Sequence, residues 1–345
     1  MESKIKTSEE EKYLGDVITN DGKNTKNIAA RRARGIGIVD KIFTYLDEVF
    51  LGPFYYQAAL MFRTSLLFSS ILLNSESWYN ITESDLQQLE SVDHILHRKL
   101  LESPRSTPIN IMHLELGTLP IRFEIKKRRV LFLQYILKQN KDDLIYKFFK
   151  AQLRDPTKGD WVLQVKKDLI EINLDMPFEN IEQMSKNSFK TQVKEAIAKT
   201  AFNWLMSKIR KKESLAINSH VKGSEITYSN LKLQDYFIHS DMNIAQCNLL
   251  FALRARMTEV KCNFRNKYND LSCPICMDPS SEDTQLHLLH CKTLLSGENI
   301  LVKNKLSYTD IHSSDVQRQA IIVKCFEALL QKRRKLLSQE SRRTE

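Results

Sequence analysis

Cys273, Cys276, His287 and Cys291 stand in the pattern C-x2-C-x10-H-x3-C. Two thiols two residues apart can reach one ion from a tight turn. His287 and Cys291, four apart, share a face if the chain between them is helical. Three sulfurs and one imidazole make a closed tetrahedral site of the kind that holds Zn2+. Such a site leaves no coordination position for water or substrate, so the spacing predicts a structural metal and not a catalytic one. His290 is the rival imidazole. It adjoins Cys291 and on a helix points about 100° away, so His287 is preferred. Cys262 is a weaker alternative ligand, and Cys247 and Cys325 are expected to be buried small apolar residues. The segment from Met277 to Leu286 is rich in Pro, Ser, Asp and Glu. It has little apolar surface with which to order itself, whereas metal binding by isolated zinc modules contributes roughly 10–16 kcal/mol.

The elements that must position these ligands read as mostly helical. The chain is 345 residues with only 9 Gly and 8 Pro, a scarcity that disfavours a turn-rich β-sandwich or barrel. Lys12 to Thr19 mixes aromatic and β-branched residues and ends at Asn20-Asp21-Gly22, so it is expected to be one strand of a small hairpin. Ile28, Ile36, Val39, Ile42, Phe43 and Leu46 then set a helical stripe, with Arg31, Arg32, Arg34 and Lys41 assigned to the opposite face. A helix is expected from Pro53 to about Asn74. Thr82 and Asp85 resemble a capping box for the next helix. Further helices are expected over Pro108–Leu116, from Pro120 onward, over 187–213, from a cap at Ser240 or Asp241 to about Met257, and over Ser313–Leu337. The whole predicts a mainly α fold with a short N-terminal hairpin and a small Cys3His zinc module.

Lys+Arg number 52 against Asp+Glu 42, a net charge of +10. A basic balance suits a polyanionic partner. One dense run is Arg254, Arg256, Lys261, Arg265 and Lys267, with Phe264 and Tyr268 interleaved. Cations for phosphates beside rings for stacking would suit a nucleic acid. The plainer alternative is a solvated helix face. All six cysteines lie after residue 246, unlike a secreted disulfide scaffold, so a reducing intracellular setting, nucleus or cytoplasm, is expected. The apolar stretch Phe54–Leu73 carries Arg63 at its middle, which argues for a buried helix and against a membrane span. Asp142-Asp143 reads as a helix start, and no nucleophile, phosphate loop or metal-binding carboxylate set is visible.

Taken in order, these segments resemble the downstream part of a non-long-terminal-repeat retrotransposon reverse transcriptase. Tyr13-Leu14-Gly15-Asp16-Val17-Ile18 with Gly22 resembles its primer-grip segment. Leu72–Trp78, Thr82–Leu89, Ser106-Thr107-Pro108 and Leu114–Arg122 resemble its thumb and continuation. Leu253–Met257, Asn263-Phe264 and Tyr268 resemble the run before its zinc knuckle, which Cys273, Cys276, His287 and Cys291 match. The resemblance implies a palm remnant over 1–24 and a thumb-like helical domain over 25–155. It further implies a helical connection over 156–257, a basic segment plus knuckle over 258–297, and a terminal helix with a basic tail over 298–345. It implies RNA or DNA template–primer binding, with Arg31, Arg34, Arg254, Arg256, Lys261, Arg265, Lys267 and Tyr268 as contacts and Tyr13, Leu14 and Gly15 as grip-like residues. The family's polymerase needs paired aspartates upstream of the grip. Only twelve residues precede Tyr13, so this chain alone is expected to be inactive as a polymerase. The alternative from another class is a zinc-stapled helical module that docks a protein, with no nucleic-acid role.

Overall fold

The computed structural model describes residues 8–13, 16–49, 52, 54–155, 160–211, 228–238, 241–295 and 307–341. The fold is mainly helical, as expected, with one two-stranded antiparallel hairpin. The hairpin departs from the sequence reading. Its strands are β1, Glu10–Tyr13, and β2, Asp16–Thr19, with Tyr13 paired to Asp16. What reads as one strand, Lys12–Thr19, therefore spans the second half of β1 and all of β2, and Leu14 and Gly15 lie outside the described residues. Asn20 to Gly22 instead leads into the first helix.

That helix, α1 (Thr25–Val49), buries Ile28, Arg31, Gly35, Val39, Ile42 and Leu46 along one stripe. It packs on α4 (Glu83–Leu100). Gly35 permits the approach: a Cβ there would lie 2.9 Å from side-chain carbons of both Ile71 and Val92. The apolar stretch after α1 is not one α-helix. It runs as α2 (Tyr55–Phe62), a π-turn over Arg63–Leu67 and a short α3 (Phe68–Ile71). The widened turn coincides with Arg63, whose buried guanidinium reaches across to Asp93 of α4 at 2.6 and 2.7 Å. Among the described residues no helix is long and apolar enough to cross a membrane.

Thr82 and Asp85 cap α4 reciprocally, as the sequence predicts. Helix α5 (Ile109–Leu116) stops at Gly117, whose φ of +63° favours glycine. Helix α6 (Ile121–Leu137) follows Pro120 and faces two hydrophobic clusters. The first joins α1–α5 to the far end of the chain. The second packs α6 with α7 (Leu144–Arg154), α8 (Trp161–Glu171), α9 (Phe178–Gln183) and α10 (Lys186–Lys211). Lys126, Lys127 and Arg129, a basic face in sequence, act as struts here. Lys126 pairs with Glu171, Lys127 with Glu124 and Arg129 with the buried Asp168.

Helix α11 (Ile244–Arg254) is capped not by Ser240 or Asp241 but by Asn243. The Asn243 side chain accepts from the Gln246 N–H, and Gln246 reciprocates. The final helix, α12 (Val316–Ser341), packs on α11 in the first cluster.

Candidate metal centre and its basic surroundings

The Sγ atoms of Cys273, Cys276 and Cys291 and a ring nitrogen of His287 lie within 4.8 Å of one another. This set could hold a metal ion. The Cys276 Sγ to His287 Nε2 distance is 3.4 Å. A tetrahedral zinc site has S···N and S···S edges of about 3.6 and 3.8 Å, from its bond lengths. The site's donors thus sit near the spacing that one ion requires.

Local structure explains the convergence. The chain turns after Cys276, where Met277 takes φ +52° and its N–H donates to the Cys273 carbonyl at 3.1 Å. Backbone N–H groups of Ile275 and Cys276 point at the Cys273 sulfur, although burial still pushes that thiol up to about 11. A buried thiolate here therefore calls for a neighbouring cation. Ser272 bridges Glu282, and the Cys273 N–H donates to the Ser281 carbonyl at 2.8 Å. The intervening loop has its own order: Asp278 accepts from the Ser280 N–H and from the hydroxyls of Ser280 and Ser281. His287 stands in a one-turn helix, Gln285–Leu288, started by Thr284, whose hydroxyl accepts from the His287 N–H. Cys291 begins the next turn, before Lys292–Leu295. His287 and Cys291 thus meet across two short turns and not along one helix. His290 is exposed and outside the set. The Cys262 thiol faces Glu282 at 3.7 Å instead. Cys247 and Cys325 are buried free thiols, as expected.

The module is not a separate tip. Cys273, Ile275, Leu288, Leu289, Cys291 and Leu294 belong to the first hydrophobic cluster. Asp283, wholly buried, receives both Arg333 nitrogens at 2.8 and 2.7 Å and the Lys261 N–H at 2.8 Å. Gln285 bridges the Thr258 hydroxyl and the Tyr308 phenol, each at 2.6 Å. These links were not legible as a set, since the partners lie between 22 and 50 residues apart.

The expected nucleic-acid contacts divide sharply. Arg31 and Arg254 are corrections. Arg31 is fully buried, pairs with Asp16 and donates to the Ser70 carbonyl. Arg254 is 3% exposed and donates to Glu115 at 2.7 Å and to the Ile311 carbonyl. Both occupy apolar stripes, Ile28–Arg31–Gly35 and Cys247–Leu250–Arg254, and that spacing was a usable signal. Arg256 is half-buried and bonded to Tyr308. Lys261 pairs with Asp270 at 3.0 Å, and the exposed Arg265 lies 3.3 Å from Glu282. Lys267 is exposed above the Phe264 ring, and Tyr268 and Arg34 are exposed. Of the grip-like residues, Tyr13 ends β1, while Leu14 and Gly15 lie outside the described residues.

A second group, Asp93, His97 and His113, also draws together its possible ligand atoms. Arg63 already engages both oxygens of Asp93, and the Thr118 hydroxyl sits 2.8 Å from His113 Nδ1 and 3.4 Å from His97 Nε2. A cation beside Arg63 would meet a carboxylate whose charge is already compensated. This is a buried hydrogen-bonded network. Burial pushes His97 down to about 3 and His113 well below the ordinary histidine value, so both rings are neutral.

No family model, curated protein or solved structure matches the chain.

Proposed function

We propose that this chain is a nucleic-acid-binding part of a non-long-terminal-repeat retrotransposon reverse transcriptase, with thumb-like helices that track an RNA or DNA template–primer. Its Cys3His set holds one structural Zn2+. The observation that carries the reading is the convergence of Cys273, Cys276, His287 and Cys291 on one point of a helical body with a net charge of +10. The order of sequence segments that resembles the family supports it. With a fourfold ligand set the ion supplies folding energy and no open coordination position. In this reading Cys273, Cys276 and Cys291 bind as thiolates and His287 through Nε2. The contact surface beside the module is Arg265, Lys267 and Tyr268, with Arg34 on α1. Phosphate contacts dominate the affinity, which therefore falls steeply with salt.

Titration of labelled RNA and DNA strands at 50 and 200 mM salt, on protein with its zinc content measured, tests this. Salt-independent binding, or none, overturns it. One observation favours the rival protein-docking module: Lys261, Arg265 and Arg334 each lie within 4 Å of a carboxylate, so part of the module's charge is internally neutralised. Replacing Arg265 and Lys267 by Ala separates the two. A nucleic-acid binder loses affinity, whereas a docking module retains its protein partner. Arg254 is unsuitable for that test, because its removal would leave the buried Glu115 carboxylate without its guanidinium.

A further inference from the structure

An unneutralised basic row lies away from the module, on α10. Lys186, Lys190 and Lys194 follow one another at four-residue steps, and all three are exposed. Four residues advance an α-helix about 6 Å, so the three ammonium groups share one face over about 12 Å. Among the described residues none of the three pairs with a carboxylate. Glu182 and Glu195, the acidic residues nearest in sequence, are exposed and make no ion pair with the row. Lys138 adds a fourth positive charge at the same end. Its ammonium donates to the Met184 carbonyl, just before α10 begins, at 2.7 Å. Tyr135, three residues earlier on the same side of α6, is 54% exposed and stacks its ring on Phe132 at 5.5 Å.

The buried and half-buried cations differ: Arg63, Arg122, Arg129, Arg254 and Arg333 are each tied to a carboxylate. Like charges at four-residue spacing repel on a helix. A polyanion bound along such a row relieves this repulsion. The exposed Tyr135 ring, three residues from Lys138, adds a platform for one unstacked base.

We infer that the α10 face, Lys186, Lys190 and Lys194 with Lys138 and Tyr135, binds a single-stranded stretch of nucleic acid, its phosphates along the lysines and a base against Tyr135. This rests on the nucleic-acid reading above but names a surface distant in sequence from the module.

The test uses the full zinc-loaded chain and a fluorescein-labelled 30-nucleotide single strand. The variants are K186Q/K190Q/K194Q, Y135A and, for comparison, R265A/K267A. All substituted side chains are exposed, and unchanged melting curves establish that the folds match. Loss of three phosphate contacts lowers the slope of log affinity against log salt by about 2 and weakens binding about 100-fold at 0.1 M salt. Y135A weakens it roughly fivefold or more. If the native chain binds and the triple variant matches it in slope and affinity, the α10 surface is overturned while the nucleic-acid reading stands. If the native chain itself fails to bind at 50 mM salt, both fall together.

Discussion

Asp283 and Arg333 form a buried two-pronged ion pair across 50 residues, 2.8 and 2.7 Å long, four residues before the candidate ligand His287. The pair fastens the metal module to α12, and the Lys261 N–H fills a further acceptor position on Asp283. Removing one partner strands the other without water. D283A and R333M are therefore each expected to destabilise the chain by about 3–5 kcal/mol. Urea unfolding followed by circular dichroism checks this, and a loss under 1 kcal/mol for both variants refutes the clamp. R333K should be intermediate, since an ammonium cannot reproduce the fork.

Metal content offers a second test. One equivalent of zinc is expected per chain. C276S and H287A should lower it, whereas C262S and H290A should not, because those side chains lie outside the set. Chelation should lower hydrogen-exchange protection most in 258–295 and least in α7–α9, which belong to the other hydrophobic cluster. Retention of full zinc by H287A would reassign the imidazole ligand.

Acid should act through the neutral histidines. Burial holds His94 below its ordinary value, His97 at about 3 and His113 well below its ordinary value. In the unfolded chain each takes up a proton near pH 6.5, so protonation favours unfolding. The stability they contribute is complete above pH 6.5 and is lost as pH falls toward the folded values. Between pH 7.5 and 5.5 the loss should be roughly 2–4 kcal/mol. Asp93 is also held low, chiefly by Arg63 acting against its burial, but its contribution disappears only below the ordinary carboxylate value of 3.8. Urea midpoints of the metal-free chain at the two pH values isolate this effect from metal release. A flat profile would contradict it, and H97Q should reduce the slope.

Glycine supplies a paired comparison. Gly22 and Gly117 have nearly equal φ, +64° and +63°. A Cβ at Gly22 meets nothing within 4 Å, whereas one at Gly117 would come within 2.1 Å of the Lys232 carbonyl carbon. G22A should cost about 1 kcal/mol for conformation alone. G117A should cost clearly more, because the strand of chain crossing α5 must move. Equal unfolding midpoints for the two variants would show that this crossing is loose.

The sequence by itself determined the helical class, the Thr82–Asp85 cap, the stop at Gly117, the start after Pro120, and the four metal-ligand candidates. Each is local: periodicity, capping and ligand spacing act within about a dozen residues. The choice of His287 over His290 was also legible from its four-residue spacing to Cys291, although two short turns and not one helix bring the pair together. Tertiary structure decided which cations face water, a division at which helical spacing only hints for Arg31 and Arg254. Arg31 and Arg254 read as surface charges until Asp16 and Glu115, 15 and 139 residues away, supply the carboxylates that make burial tolerable. Likewise the break in the apolar helix at Arg63 follows from Asp93, and the seating of the metal module follows from Arg333. A charge can be buried only where a distant partner meets it, and that pairing is a property of the folded chain and not of any window of sequence.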